Sequence, residues 1–231
     1  MYSLGRKFFI TTDSNFEYQV ERIIFDSRIA QKGDLFIPLK GLNYDGEDFC
    51  NDAINKGAAV LTTRNINGPA PVQKVKDVYK ELLEICKTKL LEIKPKIIFI
   101  TGSYGKTTIK DMLKNILGPS CHASKENENN EFGIPFTILG MPQACEYLVV
   151  ECGARKPNDF DLISNYLFCD VFILTSIAEN HLTTFGSVEN IINTKLKLKN
   201  CLINKSNFVD GRKVNKESIL ERNKEILKKT L

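Results

Sequence analysis

The chain has 231 residues, 42% of them apolar and 26% charged, enough to bury a core and typical of an ordinary soluble protein. No apolar run approaches the ~20 residues that span a bilayer, and the apolar patch near the N-terminus is too short for a signal peptide, so a cytoplasmic protein is expected. The net charge of +4 is uneven, with 21 Lys/Arg against 24 Asp/Glu in residues 1–194 and 11 against 4 in residues 195–231, which assigns the basic character to a solvated, partly helical end rather than to a nucleic-acid-binding arm.

Residues 1–75 predict a small α/β unit. "GDLFIPL" follows a glycine turn and reads as a strand. "YDGEDFCNDAINKG" puts Phe49, Ala53 and Ile54 on one helical face, with Gly57 as the stop. "AAVLTT" reads as a second short strand, and the turn formers of Asn65–Pro71 mark a joint. Residues 76–95 predict a connecting helix, because Val78, Leu82, Ile85 and Cys86 recur at helical spacing and Pro95 disfavours the α conformation at Lys94.

Residues 96–200 then alternate. Strands are expected at 97–100, 147–151 ("YLVVE") and 171–177 ("VFILTSI"), and helices from Lys106 to about Leu117, near 158–166 and from about Ser187. Alternation of this kind builds a parallel sheet from βαβ units, and the continuous apolar runs fit strands covered on both faces. Residues 201–231 form the basic tail. The seven cysteines (Cys50, Cys86, Cys121, Cys145, Cys152, Cys169 and Cys201) are widely spaced with no C-x-x-C pair. That argues against a disulfide framework or a zinc site and for small buried hydrophobes.

The stretch "KIIFITGSYGKTTIKDML" carries the most chemistry. A buried strand runs into Gly102 and Gly105, which permit tight backbone geometry and close approach to an anion. The backbone N–H groups between Thr101 and Thr108 and the positive end of the next helix then face one point. Lys106 can neutralise phosphate charge, and Thr107 can place its hydroxyl on Mg²⁺. The spacing G-x-x-G-K-T is two residues shorter than the general phosphate-loop pattern, so a plain strand–turn–helix is the competing reading. The strand before and the helix after favour phosphate.

Other polar residues fall at expected strand ends, where open α/β sheets collect ligands. Glu151 closes "YLVVE" and reads either as a solvated acid or, beside the lysine turn, as a metal ligand. His181 follows the third strand, and a lone histidine is more often structural than catalytic, although the chain has only two. His122 is given no role. In "KENENNEFGIP", Asn127, Asn129 and Asn130 are either a polar loop or amides that fix a polar substrate.

These residues in order resemble the Mur ligase family. The likeness covers roughly residues 25–198, through "DSR", "KGDLFIPLKG", "DGEDF", "AINKGAAVL", "TGSYGKTTIKDML", "NENNEFGIP", "VVECGA", "NHLTTFGS" and the lysine of "INTK". It implies an α/β fold, with a small N-terminal uridine-nucleotide-binding domain ahead of an incomplete P-loop-type parallel-sheet ATPase domain. It implies Gly102, Ser103, Tyr104, Gly105, Lys106, Thr107 and Thr108 as the ATP phosphate loop. Thr107, Glu151 and His181 would be metal-site residues for Mg²⁺, and Asn127, Asn129, Asn130 and Gly133 would lie beside the nucleotide-sugar peptide. Ser27, Arg28, Lys40, Gly41, Asp45 and Gly46 would form the uridine-nucleotide site, and Lys195 falls where the family carries a lysine carbamylated by CO₂. Lys106, Lys195 and His181 are the implied catalytic residues.

The implied activity is ATP-dependent amide ligation in peptidoglycan precursor synthesis, adding D-alanyl-D-alanine to a UDP-N-acetylmuramoyl-tripeptide through an acyl phosphate. Three departures stand out. Tyr104 replaces a small or polar loop residue. Lys197 stands where the family has a glutamate. After about Leu198 the family pattern is no longer followed, and the C-terminal domain that closes over the nucleotide is not among these 231 residues. The readings are therefore a ligase, with that domain on the same or a separately encoded chain, or a truncated, catalytically inactive nucleotide-binding relative with a binding or regulatory role.

Overall fold

The computed structural model describes residues 2–11, 17–41, 43–125, 128–179, 182–214 and 219–230, and it divides into two compact units, residues 1–85 and 86–231. The first unit is a five-stranded sheet in the order β1 (Tyr2–Thr11), β2 (Glu17–Ile24), β3 (Asp34–Phe36), β4 (Ala59–Thr62) and β5 (Val72–Lys74). β1 and β2 pair antiparallel and the remaining neighbours pair parallel. Helix α1 (Cys50–Asn55) buries Cys50, Ala53 and Ile54 against Ile24, Phe36 and Val60. The β1–β2 pair is not legible in the sequence, because "GRK" interrupts the alternation of β1 and the pairing register shifts between Ser3 and Phe8.

Helix α2 (Val78–Ile93) runs across the division between the units. The second unit is an all-parallel sheet in the order β10 (Phe208–Asp210), β9 (Val171–Leu174), β6 (Lys96–Thr101), β8 (Tyr147–Glu151) and β7 (Cys121–Ala123). The chain leaves β6 through α3 (Lys106–Leu117) for the edge strand β7. It returns through α4 (Gly133–Leu139) to β8 beside β6, then crosses through α5 (Asp161–Tyr166) to β9 on the other flank, after which α6 (Leu182–Phe185) and α7 (Val188–Leu196) follow. The carboxyl ends of β6, β8 and β9 therefore meet where the strand order reverses, the place where open α/β sheets bind ligands. Ile97 through Ile100 are all buried, as a central strand covered on both faces requires.

Two differences from the sequence expectation concern this unit. β9 ends at Leu174, so Thr175 and Ser176 leave the sheet and become available to the turn after β6. The basic tail is not a solvated end: it supplies β10 to the sheet and helix α8 (Ile219–Thr230) to its face. Asn223, Ile226, Leu227 and Thr230 are buried while Lys224, Lys228 and Lys229 are exposed. That i, i+3, i+4, i+7 stripe is an ordinary amphipathic helix whose net charge masks its apolar face. Ile226 and Leu227 join the core of Ile98, Ile100, Ile109, Leu113 and Ile173. Among the described residues no helix is long and apolar enough to cross a membrane.

Candidate functional site

The turn after β6 is built from both sides. Thr101 donates its hydroxyl to Cys152 O at 2.7 Å. Gly102 then takes φ +148° and Gly105 φ +82°, a region that L side chains avoid. A Cβ on Gly102 would lie 2.0 Å from Thr175 Oγ1, so only glycine lets the end of β9 approach. That end grips the turn: Ser103 N donates to Ser176 O at 2.8 Å, Tyr104 N to Ser176 Oγ at 3.0 Å, and Thr175 Oγ1 to Tyr104 O at 2.6 Å. The Tyr104 side chain is 63% exposed, so the substitution leaves the backbone path intact.

These bonds correct one expectation. The amides of Ser103 and Tyr104 are consumed within the fold, so anion-binding capacity rests on the first turn of α3. Gly105 caps that helix without a side-chain hydrogen bond, and the first four N–H groups of a helix have no intrahelical partner. Together with the helix dipole they favour an anion. Lys106 sits at this end, its Nζ 3.0 Å from Gly102 O. Thr108, expected in the same loop, lies exposed on the first turn of α3.

Glu151 ends β8 opposite this turn and is 5% exposed. Its Oε2 accepts from Thr107 Oγ1 at 2.9 Å and its Oε1 from Asn129 Nδ2 at 3.2 Å. Ser124 Oγ accepts from Glu151 N at 3.0 Å and fixes the strand end. Among the described residues no three His, Cys, Asp or Glu cluster around one point. The oxygens offered are one carboxylate and one hydroxyl, a set that suits Mg²⁺, which keeps water and phosphate oxygens in its shell. His181 and Asn127 lie outside the described residues.

Lys195 comes from helix α7 (Val188–Leu196), which Ser187 caps by accepting from Asn190 N. Its side chain is 4% exposed. Burial first, and then the Lys106 charge, push the ammonium down from 10.5 to about 8. Lys106 and Lys195 both line a cavity of about 200 Å³, with Asn129, Arg155, Phe185 and Ile191 among its other walls. Lys197, two residues on and just past the end of α7, is turned elsewhere, its Nζ held by Asp161 Oδ1 at 2.6 Å.

The remaining expected residues have local duties. Asn130 Oδ1 accepts from Gly133 N at 2.9 Å and starts α4. In the first unit, Ser27 is buried and its carbonyl accepts from Lys56 Nζ at 3.0 Å, while Arg28 is exposed against Asp26. Lys40, Gly41, Asp45 and Gly46 share the loop before α1. Gly41 N donates to Tyr44 O at 3.0 Å, Asp45 caps the turn at Glu47 and pairs with Arg64, and a Cβ on Gly46 would meet Leu39 O at 2.5 Å. Sequence reasoning missed Ser124, Arg155, Thr175 and Ser176. The signal for the last two was available, since a Thr-Ser pair at the end of an apolar run is a polar strand end.

A family model described as "Mur ligase middle domain" matches residues 100–226, past the point near Leu198 where the likeness was expected to stop, and one described as "Mur ligase family, catalytic domain" matches residues 19–89. The chain is 37% identical over 189 residues to the UDP-N-acetylmuramoyl-tripeptide–D-alanyl-D-alanine ligase of Bacillus subtilis, covering 79% of this chain and 41% of that one. It is 31% identical over 185 residues to the ligase of the same name from Haemophilus influenzae, covering 77% and 40%. The crystal structure of MurF ligase from Thermotoga maritima in complex with ADP aligns with a TM-score of 0.73 at 30% identity, over 90% of this chain and 48% of that one. A crystal structure of MurF from Acinetobacter baumannii aligns with a TM-score of 0.75 at 26% identity, over 87% and 45%. The chain thus spans between two fifths and half of the length of these relatives.

Proposed function

The chain belongs to the Mur ligase family, and from that premise we propose that it forms the precursor-binding and ATP-binding portion of a cytoplasmic, ATP-dependent amide ligase that adds D-alanyl-D-alanine to UDP-N-acetylmuramoyl-tripeptide. Residues 1–75 bind the uridine nucleotide through Ser27, Arg28 and the loop of Lys40, Gly41, Asp45 and Gly46. Residues from 96 onward bind ATP. The observation that carries the reading is the glycine turn locked to Thr175 and Ser176, which aims an uncapped helix end and Lys106 at one cavity.

A substrate carboxylate oxygen attacks the γ-phosphorus, the bond to the bridging oxygen breaks, and ADP departs. The dipeptide amine then displaces phosphate from the acyl carbon. Lys106 and the first-turn N–H groups of α3 stabilise charge on the transferring group, a contribution of position and electrostatics. Thr107 and Glu151 would hold Mg²⁺, which when bound neutralises phosphate charge, and Asn129 keeps the Glu151 carboxylate oriented. With its ammonium pushed down to about 8, roughly a quarter of Lys195 is neutral at pH 7.5. The neutral amine adds CO₂ and loses one proton, which turns a buried cation into an anion facing Lys106.

Calorimetry with ADP and Mg²⁺, followed by phosphate release with ATP and both substrates, tests this. Nucleotide binding is expected from this chain. Phosphate release dependent on both substrates establishes the ligase, with the C-terminal portion supplied on the same or a separate polypeptide where turnover needs it. Nucleotide binding without release favours the non-catalytic relative. No binding by folded protein overturns the reading.

A further inference from the structure

The cavity beside Lys106 is lined by basic residues of two shapes. Lys106 offers a point charge and Arg155 a planar fork, while Lys195 is the buried amine that takes up CO₂ in the reading above. No carboxylate is among the described lining residues. Phe185 and Ile191 supply an apolar wall, which strengthens each charge–charge contact made inside.

Among the described residues, Arg155 is held through its backbone. Its N–H and that of Lys156 both donate to Asp159 Oδ2, at 2.8 and 3.1 Å, and its carbonyl accepts from Thr184 Oγ1. Asp159 Oδ2 is thereby taken up by main-chain donors. Among the described residues no hydrogen bond or ion pair engages the guanidinium. The turn carrying it follows directly from β8, whose last residue is Glu151. Arg155 is exposed, so its guanidinium stands on a fixed main chain at the solvent-open rim of the cavity, available to an anion that enters it.

We propose that Arg155 binds the terminal carboxylate of the peptide substrate and presents it to the phosphoryl group held at Lys106, which makes it a specificity residue for an acid over its amide. This rests on the ligase reading above. Guanidinium geometry matches a carboxylate through two parallel N–H donors, whereas an ammonium serves a phosphate as a point charge. About 200 Å³ gives room for on the order of seven groups of water size, the bulk of one carboxyl and one phosphoryl group together. The cavity's cations then divide the labour, with the fork on the planar acid and Lys106 on the tetrahedral one.

The test is calorimetry on the full chain with UDP-N-acetylmuramoyl-tripeptide, with the same compound as its terminal carboxamide, and with ADP plus Mg²⁺. The wild type is expected to prefer the acid by up to about tenfold, as one charge-assisted two-point pair gives. Arg155→Ala abolishes that preference while ADP affinity and the circular dichroism spectrum stay as in the wild type, and Arg155→Lys keeps part of it. An Arg155→Ala protein that still prefers the acid overturns the proposal and leaves the ligase reading standing. So does one whose ADP affinity falls as far as its tripeptide affinity. A wild type that binds ADP but neither tripeptide form overturns both.

Discussion

Replacing Lys195 by methionine tests the electrostatics of the site most directly. The ammonium is pushed from 10.5 down to about 8, by burial and then by Lys106, and at 4% exposure solvent screens little of that cost. A shift of ~2.5 units corresponds to roughly 3 kcal/mol against the charged form. The sign follows from proton linkage. Between pH 8 and 10.5 the unfolded chain holds a proton that the folded chain has released, so stability rises with pH across that window, and the full penalty applies below it. Lys195→Met removes the charge at similar volume. In CO₂-free buffer the variant is expected to be more stable than the wild type at pH 7 by up to about 3 kcal/mol, or roughly 6–12 °C in Tm. The difference should shrink as pH climbs toward 10.5. Urea unfolding followed by circular dichroism at pH 7, 8, 9 and 10 reads it. A variant less stable than the wild type at pH 7, or a difference that does not change with pH, would refute the reasoning.

Four further outcomes follow from the same geometry. Lys106→Ala should remove ADP and ATP binding in calorimetry while the fold persists, because its bond within the fold is to a carbonyl of its own turn; equal affinity in both proteins counts against the site. Gly102→Ala should lower the unfolding free energy by about 2 kcal/mol or more, since a Cβ meets Thr175 Oγ1 and strains a positive φ; an unchanged denaturation midpoint would show that the turn relaxes freely. Glu151→Gln keeps a partner for Thr107 but not the charge, so the Mg²⁺-dependent part of ADP affinity should vanish and the Mg²⁺-free part remain. Lys197→Glu should cost about 0.5 kcal/mol by facing Asp161 and leave ADP affinity as it was, and a loss of nucleotide binding would mean that the charge reversal does reach the cavity.

How much was legible in the sequence depended on how local the cause was. The strand at β6, the helix from Lys106 to Leu117 and the strand Tyr147–Glu151 were readable because each is a long periodic run with its own stop signal. β7 and β10, of three residues each, carry no periodicity to detect and exist because a neighbouring strand offers its ladder. α4 was hidden by Pro135 and by the polar run before it, although a proline in the first turn of a helix is tolerated. At the site, Lys106, Thr107 and Glu151 were singled out by their type and place in the chain, and Lys195 by the family resemblance alone. Arg155 was passed over because its significance is the pairing of Asp159 with main-chain donors, a fact of the fold alone.

The short spacing of the glycine turn also has a structural consequence. A longer loop can wrap a phosphate with its own amides. Here two of those amides, at Ser103 and Tyr104, are tied to Ser176, and Thr175 closes over the same turn. Donors are given up, and in return the path of the turn is over-determined by the end of β9. The remaining anion-binding groups, the first turn of α3 and Lys106, then project from a helix and a locked turn. Charge stabilisation in phosphoryl transfer depends on donors that are already in place when charge develops. A rigid turn with fewer amides is therefore a workable phosphate cradle, provided that cations around the cavity supply what the missing amides do not. Lys106 fills that requirement, with Thr107 and Glu151 placed to hold a divalent cation beside it, and these residues come from α3 and β8, two elements that only the completed sheet brings together.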